Sequence, residues 1–337
     1  MNSPDPRLSE RTDDRPAGDS RSSQPGSPAD RHAGSQPDRQ TDRQTDRHAG
    51  SQTGSHAGGQ AGRPPRPARP QITLDVLRRE HLSPHLVRIT LGGPGFAAFE
   101  AKPVTDMYVK IVFAKPKLGL SRPYDLAALR ETLAPEDLPV TRTYTVRSVD
   151  HEAQTLSIDF VVHGDAGLAG PWANTAEPGD QLTFSGPGGA FAPDADAAWY
   201  LFAGDLSALP AIAAALEVLP DRASGVAFIE ARDEADVIEL TAPSGIEISW
   251  VFSRDAEPGT STVLADAVAA AEWPDARGQF FAHGERSAMK SLRDLLRERG
   301  VTRDQLSLSG YWAAGRTEDR FQAEKREPIG FIAPVSD

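Results

Sequence analysis

Between Ile72 and about Phe191 the apolar residues fall into short alternating runs. "QITLDVLRRE" (71–80), "LVRITLGG" (86–93), "MYVKIVFA" (107–114), "RTYTVRSVD" (142–150), "TLSIDFVVHG" (155–164) and "DQLTFSGPGG" (180–189) are rich in β-branched residues and separated by Gly, Pro and Asp. Six such runs predict a small antiparallel barrel. After "AFAPDADA" (190–197) the rhythm changes. Strand-like "AWYLFAGD" (198–205), "GVAFIEA" (225–231), "IEISWVFSR" (246–254) and "GQFFAHGE" (278–285) lead into helical "ALPAIAAALEVL" (208–219), "DEADVIEL" (233–240), "STVLADAVAAAE" (261–272) and "SAMKSLRDLLRERG" (287–300), and "QLSLSGYW" (305–312) comes last. That alternation predicts an open parallel α/β sheet. In the helix of 287–300, Met289, Leu292, Leu295 and Leu296 form one apolar stripe for core packing, with Ser287 expected to cap its start and Gly300 to close its end.

Composition separates a third region. Before Gln71 the only large apolar side chains are Met1 and Leu8, too few to offset chain entropy, so residues 1–70 are expected to be a disordered tail, followed by a barrel domain over 71–193 and an α/β domain over 194–337. The tail repeats "HAGSQ" (32–36 and 48–52) around "DRQTDRQTDR" and ends in "RPPRPARP"; its eleven arginines against nine carboxylates give +2, leaving −14 of the chain's net −12 on the remainder. So acidic a body is a poor non-specific nucleic-acid binder. His32, His48 and His56 are too far apart for a dedicated zinc site, and no metal site is expected. No apolar segment reaches about 18 residues and no signal-like h-region opens the chain, so a cytoplasmic protein without membrane insertion is expected, taken as a monomer. The absence of cysteine excludes disulfides, thiolate metal sites and a catalytic thiol, leaving redox chemistry to an organic cofactor or a metal held by other ligands.

Two segments carry candidate chemistry. On a strand, "RTYTVRS" (142–148) puts Arg142, Tyr144 and Val146 on one face and Thr143, Thr145 and Arg147 on the other. A flavin needs an aromatic wall, a hydroxyl near N5 and positive charge by its phosphates, which this strand can supply; a barrel strand with a core-capping Tyr and a snorkelling Arg reads equally well. "HGDAGLAGPWAN" (163–174) ends a strand at His163 and passes through Gly164, Gly167, Ala169 and Gly170 into Pro171, Trp172 and Ala173, like the first turn of a helix. Small residues there would let backbone N–H groups approach a pyrophosphate; an ordinary Gly-rich loop is the alternative.

Together "RTYTVRS", "DFVVHGDAGLAGPWANTAEPGDQLTFSGPGGAF" (159–191), "YLFAGDLSALPAIAAALEVLP" (200–220) and "SGYWAAGRTED" (309–319) resemble the siderophore-interacting proteins, FAD-containing ferric-siderophore reductases of the ferredoxin–NADP reductase superfamily. The resemblance spans about Ile72 to Arg320. It implies a six-stranded antiparallel FAD-binding barrel followed by an open parallel α/β NAD(P)H-binding domain. It further implies Arg142 at the FAD phosphates, Tyr144 flanking the flavin, Thr145 near N5, and Gly167, Ala169, Trp172 and Ala173 in the pyrophosphate loop. Asp205 and the turn with Ser207 would face the nicotinamide. Arg147, His163 and Glu285 complete the candidate cofactor set, and Ser253 and Arg254, helped by Arg232, match the pair that holds a 2′-phosphate and favour NADPH. The sequence departs from the family pattern at His283 (usually Ala before Gly-Glu), Ser207 (commonly Thr) and Ala313 (commonly basic).

The implied activity is reduction of a bound ferric siderophore, which releases iron because Fe(II) is held far less tightly than Fe(III) by the same oxygen ligands. No dedicated catalytic residue is expected, since outer-sphere electron transfer needs proximity. Lys110 is the candidate cation for an anionic chelate, with Lys325 and Arg326 as secondary candidates; a solvated strand lysine is the alternative for Lys110. The same motifs would serve an NAD(P)H:flavin oxidoreductase with another acceptor, or a siderophore-binding module that has lost its nicotinamide site.

Overall fold

The computed structural model describes residues 70–164 and 167–335, so the expected tail falls outside it except for Pro70. Six strands, β1 (Gln71–Ser83), β2 (Leu86–Gly92), β3 (Tyr108–Phe113), β4 (Val140–Asp150), β5 (Thr155–Val161) and β6 (Gln181–Gly188), close an antiparallel barrel in the order β1-β2-β5-β4-β3-β6. Alternation sets the register: Ile72, Leu74 and Val76 of β1, Val87, Ile89 and Leu91 of β2 and Leu156, Ile158 and Phe160 of β5 fill the interior. Helix α1 (Leu126–Thr132), capped by the Asp125 carboxylate, lies between β3 and β4, and α2 (Ala169–Thr175) turns Ala169 and Ala173 into the barrel core.

The second half is a five-stranded parallel sheet. Its strands are β7 (Trp199–Asp205), β8 (Ser224–Ala231), β9 (Gly245–Phe252), β10 (Gly278–Glu285) and β11 (Leu306–Trp312), ordered β11-β10-β7-β8-β9. Helix α3 (Leu209–Val218) packs on one face, with Phe202 and Phe281 beneath it; α4 (Val263–Ala270) and α5 (Arg286–Glu298) cover the other, against Leu201, Phe280 and Ala282. Burial on both faces accounts for the almost unbroken apolar run of β7. A short helix, α6 (Glu318–Glu324), follows β11.

Two local expectations are corrected. "DEADVIEL" is no helix but a 3₁₀ turn at Glu234–Asp236 followed by irregular backbone, because Asp236, Ile238 and Leu240 all point inward with the period of an extended chain. The start of α5 is capped by Glu285 rather than Ser287; its carboxylate accepts from the Ser287 and Ala288 N–H groups. Gly300 does close the helix in the left-handed region, at φ 79°.

The halves share a core. Leu86 at the start of β2 is fully buried with Leu206, Leu209, Ile229 and Ala231 of the other half, joined by Leu82, Val161, Ile238 and Leu240. Beside it the buried Asp236 carboxylate accepts from Ser83 Oγ (2.9 Å), the His85 N–H (3.2 Å) and His85 Nδ1 (2.8 Å), tying the β1–β2 turn to the segment after β8. Truncating Leu86 to alanine removes this seam's central side chain, and the expected loss is about 2–5 kcal/mol of unfolding free energy by chemical denaturation. A loss under about 0.5 kcal/mol would show that the halves do not stabilise each other there.

Candidate functional site

Strand β4 runs where the barrel meets the parallel sheet. Tyr144 turns its ring onto Phe160 (centroids 4.4 Å apart), Phe160 meets Trp172 (5.5 Å) and Trp172 meets Phe113 (5.9 Å), so the α2 segment and β4 are joined by a row of aromatics. Burial, and after it the Glu318 carboxylate, raises the Tyr144 pKa, so the ring is a neutral wall at physiological pH. Thr145 is buried, and its hydroxyl is a polar neighbour of the Tyr311 phenol at the end of β11. Arg142 is half-buried, donating to the Thr141 carbonyl (2.8 Å) and to Asp319 of α6 (3.4 Å), while Thr143 donates to Glu318 (3.3 Å). The guanidinium, the aromatic ring and the hydroxyl therefore stand along one strand at the junction, Tyr144 turned to the barrel core and Thr145 to Tyr311.

Arg147 faces the second half. The ladder between β4 and β5 shifts register between Val146 and Ser148, and Arg147 pairs with Glu217 of α3. His163 and Gly167 are exposed and flank residues 165–166, which lie outside the described residues. Trp172 and Ala173 face the barrel interior, leaving the backbone as what this segment can offer a ligand. Leu168, at the helix N-cap, provides no side-chain acceptor for the first N–H groups of α2.

At the carboxyl end of the sheet, Asp205 is a hub. Its Oδ1 accepts from the Ser207 N–H (2.9 Å) and Oγ (2.5 Å), and its Oδ2 from the Glu285 N–H (2.8 Å) and Trp312 Nε1 (2.7 Å). Burial pushes its pKa up and these four donors pull it down. Gly284 lets the hub close: at φ 154° a Cβ there would stand 2.8 Å from Asp205 Oδ2. Glu285 caps α5 and accepts from the Ala314 N–H (3.2 Å). Glu230, on the neighbouring strand, has its pKa raised by burial and by the nearby Asp205 and Glu285 charges. Asp205, Ser207 and Glu285 thus bond one another or the main chain around them, fixing the shape of the sheet's edge.

Ser253, Arg254 and Arg232 meet at the ends of β8 and β9. Ser253 Oγ donates to the Ala231 carbonyl (3.2 Å), and the Arg254 N–H to the Arg232 carbonyl (2.8 Å). The exposed Arg254 guanidinium pairs with Glu234 at 2.7 Å. Lys110 is exposed on β3 opposite Thr143, and it acts on Lys325, whose ammonium lies 4.6 Å from the Phe321 ring. Burial first, then the Lys110 charge, depresses the Lys325 pKa against the opposing pull of Glu318. Arg326 is exposed. Helix α6 is moored by Glu324, which has no exposed surface and accepts from Arg286 (2.7 Å), Arg316 (2.8 Å) and Arg320 (2.7 Å); these partners hold its pKa down to about 2.

The sequence reading left Phe160, Tyr311, Glu318, Asp319 and Glu324 without roles. Tyr311, Glu318 and Asp319 were signalled by lying inside "SGYWAAGRTED"; Phe160 and Glu324 read only as a strand and a helix residue. Among the described residues no cluster of His, Asp or Glu could hold a metal ion, and no helix is long and apolar enough to cross a membrane.

The profile of the siderophore-interacting FAD-binding domain matches residues 75–191, and that of the siderophore-interacting protein matches residues 197–315. The chain belongs to the siderophore-interacting protein family. Within it, the chain is similar to the ferric vibriobactin reductase ViuB of Vibrio cholerae, 34% identical over 260 residues, which cover 75% of this chain and 93% of that one. An NADPH-dependent ferric-chelate reductase of Escherichia coli is 34% identical over 183 residues, 53% of this chain and 70% of the relative. The crystal structure of a siderophore utilization protein from T. fusca superposes with a TM-score of 0.65 at 38% identity, covering 74% of this chain and 94% of that one.

His283 sets a pH dependence. Burial pushes its pKa from 6.5 down to about 3, so below 6.5 the unfolded chain takes up a proton that the folded chain refuses. Its contribution is complete above pH 6.5 and is lost as the pH falls toward 3. The urea midpoint of His283→Phe should therefore fall less than that of the wild type between about pH 7.5 and 5; equal falls would contradict a neutral buried imidazole.

Proposed function

We propose that this protein is an NAD(P)H-dependent, FAD-containing reductase that releases iron from ferric siderophores as Fe(II), with NADPH the favoured donor. The observation that carries the reading is barrel strand β4, where Arg142, Tyr144 and Thr145 offer a cation, an aromatic wall and a hydroxyl, with Thr145 beside Tyr311 of the parallel sheet. This donor set fits FAD. The Arg142 guanidinium has donors beyond those given to Thr141 and Asp319, and the first N–H groups of α2 meet no capping side chain. Asp319 is 66% exposed and 3.4 Å away, a weak ion pair that a phosphate can displace. The names of the V. cholerae and E. coli relatives support the same activity.

Bound there, FAD supplies the conversion between a two-electron hydride donor and one-electron acceptors. Arg142 and the α2 backbone hold its phosphates, the uncharged Tyr144 excludes water from one side, and Thr145 presents its hydroxyl from a fixed backbone. The edge set by Asp205 and Glu285 receives the nicotinamide, with Arg254 leaving Glu234 for a 2′-phosphate. Lys110 and Lys325, with the Glu318 carboxylate acting on Lys325, are the two cations that would meet an anionic iron chelate.

Anaerobic visible spectra of the full chain with FAD test this. NADPH should bleach the flavin band, and a ferric catecholate with a ferrous trap should restore it, yielding two Fe(II) per NADPH oxidised because each iron takes one of the hydride's two electrons. NADH should need about tenfold higher concentration for the same bleaching. A chain that stays colourless with added FAD, or a bleached flavin that the ferric chelate leaves bleached, would overturn the proposal.

A further inference from the structure

His283 lies inside the parallel sheet and takes no part in the roles above. Its ring, 3% exposed, lies nearly flat on Phe281 (centroids 3.9 Å apart, planes 24°) and meets Tyr311 edge-on (4.9 Å, 70°). Nε2 is 2.9 Å from Ser307 Oγ, which fixes the ring's plane, while Nδ1 has no partner among the described residues. A buried polar atom without a partner is a cost, and here the contacts of the ring on two aromatic neighbours offset it. Phe281 itself packs on Phe191 (4.8 Å) and Phe202 (6.3 Å), so His283 ends an aromatic column that rises from the core beneath α3.

Tyr311 is where that column leaves the sheet. The pairing of β10 with β11 runs Gly284 to Gly310 and then Glu285 to Trp312, so Tyr311 is the extra residue of a bulge. Bulges re-aim a side chain out of the ladder. Trp312 turns to Asp205, and Tyr311 turns to the barrel, where its buried phenol has Thr145, Asp106 and Tyr108 as neighbours. Thr145 stands opposite Tyr108 in the β3–β4 pairing. Among the described residues the ring contact of Tyr311 on the sheet side is with His283, and the phenol also packs against the core beneath α3.

We infer that His283 is a positioning residue whose ring seats the bulged Tyr311, so that the phenol braces Thr145 of β4 against the end of the parallel sheet. The brace follows from packing alone. Its catalytic consequence rests on the flavin reading above: Thr145 is the hydroxyl assigned to N5, and its distance from the nicotinamide edge would be set through Tyr311.

Two measurements on the full chain separate these levels. Amide hydrogen exchange, followed without flavin in segments 143–147 and 309–312, should be about tenfold faster in both segments for His283→Ala and for Tyr311→Phe, and no faster in the double variant than in either single one. His283→Phe, which keeps the ring, should stay near wild type. Unchanged exchange at 143–147, additive effects, or a His283→Phe as fast as His283→Ala would each overturn the brace; should His283→Ala fail to fold, the 143–147 exchange of Tyr311→Phe decides. With FAD loaded, the bleaching rate at saturating NADPH should drop about tenfold in His283→Ala at an unchanged nicotinamide KM, and an unchanged rate would overturn the catalytic consequence. A chain that takes up no FAD would sink the flavin reading and leave the exchange comparison to decide the brace.

Discussion

Leu86 begins a barrel strand, yet it is buried among Leu206, Leu209 and Ile229 of the parallel sheet's half. This shared apolar seam fixes β4 relative to the carboxyl ends of β7, β10 and β11. Domains joined only by a polar linker would be expected to move against each other. Here the seam, the buried Asp236 with Ser83 and His85, and the Arg147–Glu217 pair hold one arrangement at several separate points. Strand β4, which carries Arg142, Tyr144 and Thr145, is therefore held against the opposing edge.

Buried charge around that junction is consistently answered. Asp205 has four donors, Asp236 three, Glu324 three guanidiniums, and Asp159 a bidentate Arg88 at 2.6 and 2.8 Å. Breaking one partner of such a group strands the other, so these contacts specify geometry more than they add net stability. Two other pairs differ in kind: Arg142 with the exposed Asp319 carboxylate, and Arg254 with Glu234, are screened by solvent and add little net stability.

The architecture was largely legible in the sequence because each strand buries a face or both faces, and the apolar period changes after β6 from alternation to strand–helix repeats. Where the reading failed, tertiary contacts overrode local pattern. "DEADVIEL" is composed like a helix, but Asp236 is drawn to the β1–β2 turn about 150 residues earlier in sequence and Ile238 and Leu240 to the seam. Glu285 caps α5 although Ser287 looked suited, because β10 delivers the carboxylate to the helix end. Arg147 is the extra residue where the β4–β5 ladder shifts, and its partner Glu217 on α3 lies 70 residues away, which no local pattern reveals. The contacts of α6 with β4 join residues about 175 apart, which no local pattern reveals. That Arg142, Tyr144 and Thr145 share one strand was legible; the Tyr311 neighbour of Thr145 was not, since its own bulge determines where it points.

The most direct test is a crystal structure of the full chain with FAD. The isoalloxazine should lie against Tyr144 and Thr145, with the Arg142 guanidinium moved from Asp319 to a phosphate oxygen and the α2 backbone at the pyrophosphate. A flavin bound on another face, with Arg142 still on Asp319, would contradict the assignment of β4 as the cofactor strand.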